Sequence, residues 1–200
     1  MAPEKYKNAT SKTDLCNILS KCTFCYNSTK NGDLIIAHTE LPNIFLNNSK
    51  KGKKKSINLL VNTKSADDQI NNNNQEPYII GHWFLINVAL DRHQPKATIC
   101  DSINDIAKDP TVMANIDVFC SNNSLKLYDL NEKYQNDFSD YCGYISIGII
   151  SYLHDTKKIN KILTLKKIFQ RNSVKSNEKI ALKMYEKHFF ARHSSRGNML

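Results

Sequence analysis

No apolar run in this 200-residue chain reaches the ~20 residues that a membrane-spanning helix requires; the two longest, 78–90 and 143–153, fall short. The first thirty residues are polar and charged, without the apolar core of a secretory signal, so a soluble intracellular protein is expected. In a reducing compartment the six cysteines, at 16, 22, 25, 100, 120 and 142, do not read as a disulfide framework. Cys22 and Cys25 have the spacing of half a zinc site. A second Cys-x-x-Cys or a His-x-x-x-His is missing, and no βαβ pattern surrounds the pair, which argues against zinc or thioredoxin chemistry. Arginine is scarce, occurring only at 92, 171, 192 and 196, so lysine carries most of the +9 formal charge. Such a surface attracts polyanions. The excess of lysine, asparagine and isoleucine is what AT-rich coding DNA produces, as in viral, mobile-element or protist genomes.

The length fits a single domain over residues 1–200 with room for a substantial core, and there is no internal repeat. Ser11 or Thr13 can cap a helix carrying Leu15, Ile18, Leu19 and Cys22 at helical spacing, and Asn31-Gly32-Asp33 is a turn. Strands are expected at 34–37 and 57–61, with Pro42 opening an irregular stretch and a lysine cluster at 50–55. The asparagine-rich segment 64–78 reads as a surface insertion. Residues 78–90 and 96–101 form an antiparallel pair around a turn at 91–95. A helix starts at Asp109-Pro110 and runs to about Phe119, burying Val112, Ile116 and Phe119. A strand at 125–130 and a polar loop at 131–139 lead into the most hydrophobic helix, from Cys142 to about His154. Residues 157–200 form a basic helical region and tail. In its first helix Ile159, Ile162, Leu163 and Ile168 face the core, and Ser176 caps its second.

Chemistry concentrates at four places. Cys142 sits at the mouth of the apolar run, where a helix N-terminus favours a thiolate. Gln135 lies seven residues upstream in the polar loop, Gly81-His82-Trp83 opens the first strand of the antiparallel pair, and Cys100-Asp101-Ser102 closes the second. Chain reversal at 91–95 brings His82 and Asp101 together. A base, an orienting carboxylate, an amide donor and a thiol are the set that cysteine acyl transfer needs. Taken singly, each has an ordinary structural use: an inert core thiol, a strand histidine, a turn aspartate, a loop glutamine. Their common order and placement favour catalysis. Asp105 competes with Asp101 for the acid, and His93 and His154 compete with His82 for the base, from poorer positions.

The order His-Trp, acidic residue, Gln and Cys-Gly resembles the clan of cysteine proteases that includes the adenovirus maturation protease (adenain) and the SUMO-type ubiquitin-like-protein proteases. The Gln135–Cys142 spacing, Leu60-Val61-Asn62-Thr63 ahead of Gly81-His82-Trp83, and residues 34–46 are similar to the adenain branch. The likeness spans about residues 10–155, and a virophage or Maverick/Polinton-type element is the nearest source it points to. The cysteine through which adenain bonds an activating peptide has no counterpart, since Cys120 lies too far before the strand at 125–130.

The resemblance implies an α+β adenain/ubiquitin-like-protease fold: a small mixed β-sheet packed against helices, with a central buried helix starting at the catalytic cysteine. It implies a viral endopeptidase with Cys142 as nucleophile, His82 as base, Asp101 as its orienting acid and Gln135 in the oxyanion hole. Gly143 gives close backbone approach, and Trp83 walls a narrow cleft suited to Gly-Gly-like sites in capsid and core precursors. No metal or organic cofactor is required, though DNA or a peptide is a conceivable activator. A monomer in the host cytoplasm, nucleus or virus factory and in the virion is expected, without membrane association. Lys53, Lys54 and Lys55, with Lys158 and Lys161, are the weak candidates for nucleic-acid contact. The alternatives are a deSUMOylase or deubiquitinase-like isopeptidase and a non-enzymatic basic nucleic-acid-binding protein on the same scaffold.

Overall fold

The computed structural model describes residues 34–46, 56–64, 81–90, 94–136, 141–155 and 161–190. Five strands, β1 (Leu34–Ala37), β2 (Ser56–Asn62), β3 (Trp83–Ala89), β4 (Lys96–Cys100) and β5 (Lys126–Asp129), form one sheet in sequence order. The central pairs β2–β3 and β3–β4 are antiparallel, and the outer pairs β1–β2 and β4–β5 are parallel. Among the described residues four α-helices accompany the sheet: α1 (Pro110–Asn122), α2 (Cys142–Asp155), α3 (Lys161–Gln170) and α4 (Val174–Phe190). This is a mixed α+β protein.

Strands β2 and β3 are buried almost throughout because both sheet faces are covered. Side chains alternate across a strand, so Leu60, Trp83, Leu85 and Cys100 enter the core shared with α2, α3 and α4. Leu59, Val61, Phe84, Ile86, Val88 and Ile99 enter the opposite core, against Val112, Ile116 and Phe119 of α1. On the α2 side, paired Asn58 and Asn87 bury a side-chain hydrogen bond of 2.8 Å. A one-residue slip would separate them and move every apolar side chain to the wrong face.

Helix α2 packs closely on α4. Gly148 permits that approach, because a Cβ there would lie 2.5 Å from the Ala181 carbonyl oxygen and 3.0 Å from the Tyr185 nitrogen. Beside it, the rings of Tyr144 and Tyr185 meet edge to face with centroids 5.1 Å apart.

Three local expectations need correction. Pro42 does not open an irregular stretch: it lies inside a short 3-10 helix, His38–Asn43, whose Glu40 carboxylate accepts the Ala37 N–H at 2.6 Å. Leu163 does not face the core but is 50% exposed, while Leu165 and Phe169 supply the buried contacts of α3. Helix α4 begins before Ser176, and Ser173 is its cap, accepting the Ser176 N–H at 3.3 Å. The expected helix and turn before residue 34, the lysine cluster at 50–55, the 64–78 insertion beyond Lys64 and the tail after residue 190 lie outside the described residues, as do Cys22, Cys25 and Ile159.

Candidate functional site

The end of β2 and the start of β3 position His82. The Thr63 N–H donates to the His82 carbonyl at 3.0 Å, and the Thr63 hydroxyl accepts the His82 N–H at 2.9 Å. Gly81 is required at this junction, since a Cβ would lie 1.9 Å from Asn62 Oδ1. That oxygen is engaged in turn by the Lys64 N–H at 2.8 Å.

Antiparallel pairing of β3 with β4, ending at Leu85 opposite Cys100, carries Asp101 to the same end of the sheet as His82. There His82 Nε2 lies 2.6 Å from Asp101 Oδ1. The carboxylate is buried, and its turn supplies three further donors. Ile103 N–H reaches Oδ1 at 3.1 Å, while Asp105 and Ile106 N–H reach Oδ2 at 2.6 and 2.8 Å. Asn104 closes this turn with a φ of 58°, a conformation asparagine tolerates better than most residues. Burial alone would raise the Asp101 pKa, but the His82 contact and these N–H groups outweigh it and hold the carboxyl below its usual range. Asp105 acts in the same turn through its backbone; its own exposed carboxylate pairs with Lys108 at 2.7 Å.

Cys142 is the first residue of α2 and is 8% exposed. Its sulfur accepts the Trp83 N–H at 3.5 Å, so the residue following the histidine also touches the thiol. The Cys142 side chain also lies near enough to the His82 ring to act on its charge. Burial pulls the His82 pKa down, but hydrogen bonds and charge from Asp101 and Cys142 prevail and push it up to about 9. The imidazole is therefore protonated at neutral pH.

His82 and Asp101 meet directly, and Cys142 reaches the backbone of Trp83 beside them. Gln135 joins them through Ser102. It belongs to a loop but is 2% exposed, and its Oε1 accepts the Ser102 hydroxyl at 2.5 Å. Trp83 is fully buried in the core below the site, with its ring in the packing rather than on an open cleft wall, which corrects its expected place. Gly143 lies buried in the first turn of α2. Lys161 donates to the Leu153 carbonyl, joining α3 to the end of α2. Lys53, Lys54, Lys55, Lys158 and His93 lie outside the described residues, as does the side chain of His154.

The supporting roles of Thr63 and Ser102 are not evident from residue type. Their only sequence signal is adjacency, at the end of the strand leading to His82 and directly after Asp101. Two other cysteines provide a contrast. Burial pushes the Cys100 thiol far up, and burial followed by the Asp117 charge takes Cys120 to about 11. The charges acting on them are carboxylates, so both are chemically quiet sulfurs. Among the described residues no group of three or more His, Cys, Asp and Glu side chains could hold a metal ion, and no helix is long and apolar enough to cross a membrane.

No protein-family profile matches the chain, and neither does any curated protein. Among solved structures, the chain shows weak similarity to a crystal structure of the ASFV pS273R protease, with a TM-score of 0.34, 9% identity and 70% of this chain covered against 44% of that one. A selenomethionine form of the same protease matches with a TM-score of 0.34 and 10% identity, covering 69% and 45%. The chain thus spans less than half the length of the proteins it matches.

Proposed function

We propose that this chain is a cysteine endopeptidase. The observation that carries the proposal is the buried His82–Asp101 pair, 2.6 Å from Nε2 to Oδ1, beside a thiol at the start of a buried helix that accepts the N–H of Trp83, the residue next to the histidine. Cys142 attacks the substrate carbonyl as a thiolate while His82 holds a proton, and His82 then delivers that proton to the departing amine. Asp101 fixes the tautomer and stabilises the imidazolium. The donor end of Gln135 and the Cys142 backbone N–H serve the tetrahedral oxyanion. Water then attacks the thioester and regenerates the thiol.

The proposed substrates are viral capsid and core precursors, cut after small Gly-Gly-like residues, during maturation of a virophage or Maverick/Polinton-type particle in the host virus factory. Co-expression with the capsid precursor of the same genome tests this proposal. Processing by the wild type that disappears in Cys142→Ala supports it; processing that persists in the variant overturns it. Cleavage of a SUMO fusion alone would instead assign the site to an isopeptidase.

An accessory polyanion contact is favoured by one feature of α4. Lys175, Lys179, Lys183 and Lys187 recur every fourth residue and are all exposed, opposite the buried Asn177, Ala181 and Tyr185. Phosphate contacts along this row make nucleic-acid affinity fall steeply with salt. Replacing Lys179 and Lys183 by glutamine reduces that salt dependence. An unchanged dependence in the variant removes the row from the interface.

A further inference from the structure

We propose that the main-chain N–H of Trp83 is a catalytic group, the donor that stabilises the Cys142 sulfur in its charged form, so that β3 and α2 build the thiolate site together; the proposal deepens the protease function above and rests on it.

The donor arises from the way the sheet ends. The Thr63 N–H donates to the His82 carbonyl, which makes Thr63 and His82 a hydrogen-bonded pair continuing the β2–β3 ladder. Such pairs alternate along an antiparallel strand, so the next residue, Trp83, turns its N–H away from β2 and toward β4, on the same edge as Leu85. Leu85 stands opposite Cys100, and continuing that register would set Trp83 opposite Ser102. Strand β4 has ended by then. The Ser102 carbonyl, the acceptor that another rung would have used, takes the N–H groups of Tyr134 and Gln135, both at 2.9 Å. The Trp83 N–H goes to Cys142 Sγ at 3.5 Å. Sulfur thus stands where a longer sheet would have placed a carbonyl oxygen.

Both ends of this contact are shielded from water, since Trp83 and Cys142 are buried. A buried main-chain N–H is held to an acceptor, and it bonds a charged one more strongly than a neutral one. The donor is also fixed in direction. Its ring is packed in the core, and the residues on either side are tied to β2. It is therefore in place before charge gathers on the sulfur and needs no reorganisation.

The contact acts whenever Sγ carries the electron pair. In the resting site it favours the thiolate. Later, water adds to the thioester carbonyl while His82 takes one of its protons; the C–S bond then breaks and its electron pair returns to Sγ, facing the Trp83 N–H. The acyl group leaves as a carboxylic acid, and His82 keeps the proton from water, which restores the starting pair.

Replacing the Trp83 amide by an ester, through nonsense suppression with the corresponding hydroxy acid, removes this N–H and keeps the side chain. The matched control is the same exchange at Leu85, which also removes a donor on the β4 edge and also weakens a carbonyl facing β2. In the Trp83 ester the pH at which iodoacetamide begins to label Cys142 rises by about one unit, the scale of a lost hydrogen bond to a charged group. In the Leu85 ester it stays in place. Equal pH profiles in the two esters overturn the proposal.

A second measurement leaves the backbone whole. The chain has one tryptophan, so isotope-labelled tryptophan gives one backbone amide signal in the NMR spectrum. Hydrogen exchange at this amide quickens about tenfold or more in Cys142→Ala, where the acceptor is gone, and less in Cys142→Ser, which keeps an oxygen there. Exchange as slow in Cys142→Ala as in the wild type overturns the proposal. Failure of the protease function looks different: the wild type cleaves no precursor and Cys142 is labelled as fast in His82→Ala as in wild type, while the Trp83 amide still responds to loss of the sulfur.

Discussion

Asp101 Oδ1 lies 2.6 Å from His82 Nε2, and the same carboxylate collects the N–H groups of Ile103, Asp105 and Ile106. The acid is thus fixed by its own turn before it orients the base. Asp101→Asn keeps an acceptor near Nε2 but removes the charge that raises the His82 pKa to about 9. The alkaline limb of the pH profile for Cys142 alkylation, expected near 9 in the wild type, moves to lower pH in the variant. A limb that stays in place would show that Asp101 does not set the imidazole's charge.

The same pair makes stability depend on pH at both ends. His82 has a folded-state pKa above its ordinary value of 6.5, so its contribution is complete below 6.5 and is lost as pH rises toward about 9. Asp101 has a lowered pKa, so its contribution is present above the ordinary carboxylate range and is lost as pH falls through the folded value. Urea midpoints measured across pH should fall on both sides. In His82→Ala the decline between 6.5 and 9 should flatten.

Gly81→Ala tests the placement of His82 by the β2–β3 junction. The new Cβ meets Asn62 Oδ1 at 1.9 Å, a contact that only backbone or side-chain displacement can relieve. A destabilisation of about 1–3 kcal/mol, typical of overpacking, is expected in urea unfolding, together with a marked loss of Cys142 alkylation rate. A variant as stable and as reactive as the wild type would remove Gly81 from the site's support.

Gly148→Ala tests the seating of α2 on α4. In an open helix position the change stabilises by up to ~1 kcal/mol through helix propensity. Here the Ala181 carbonyl 2.5 Å from the new Cβ reverses the sign, and a loss of about 1–3 kcal/mol is expected. Thermal unfolding gives the sign directly.

Much of the architecture is legible in sequence because it follows from strong local patterns. Residues 34–37, the β3–β4 pair, the Asp109-capped α1 and the apolar α2 carry alternation, a turn, a cap or an apolar run. His82 and Asp101 are recognisable because antiparallel strands must return to the same end of the sheet. Features decided by tertiary contact are less visible. Gln135 has the appearance of an ordinary loop residue, and its burial depends on Ser102, 33 residues away in the chain. Leu163 and Leu165 look equivalent by composition, yet the docking of α3 buries Leu165 and exposes Leu163. Trp83 follows the histidine, and strand alternation turns its ring into the core while its N–H meets the Cys142 sulfur.

The most direct test is the rate of Cys142 carboxamidomethylation by iodoacetamide at neutral pH, followed by mass spectrometry in wild type and His82→Ala, with Cys100 and Cys120 as internal comparators. Fast labelling of Cys142 that falls by about 10²-fold or more in His82→Ala, with the comparators slow in both proteins, is expected for an imidazole-activated thiolate. Equal labelling of Cys142 in the two proteins would contradict an activated nucleophile, and with it the proposed protease.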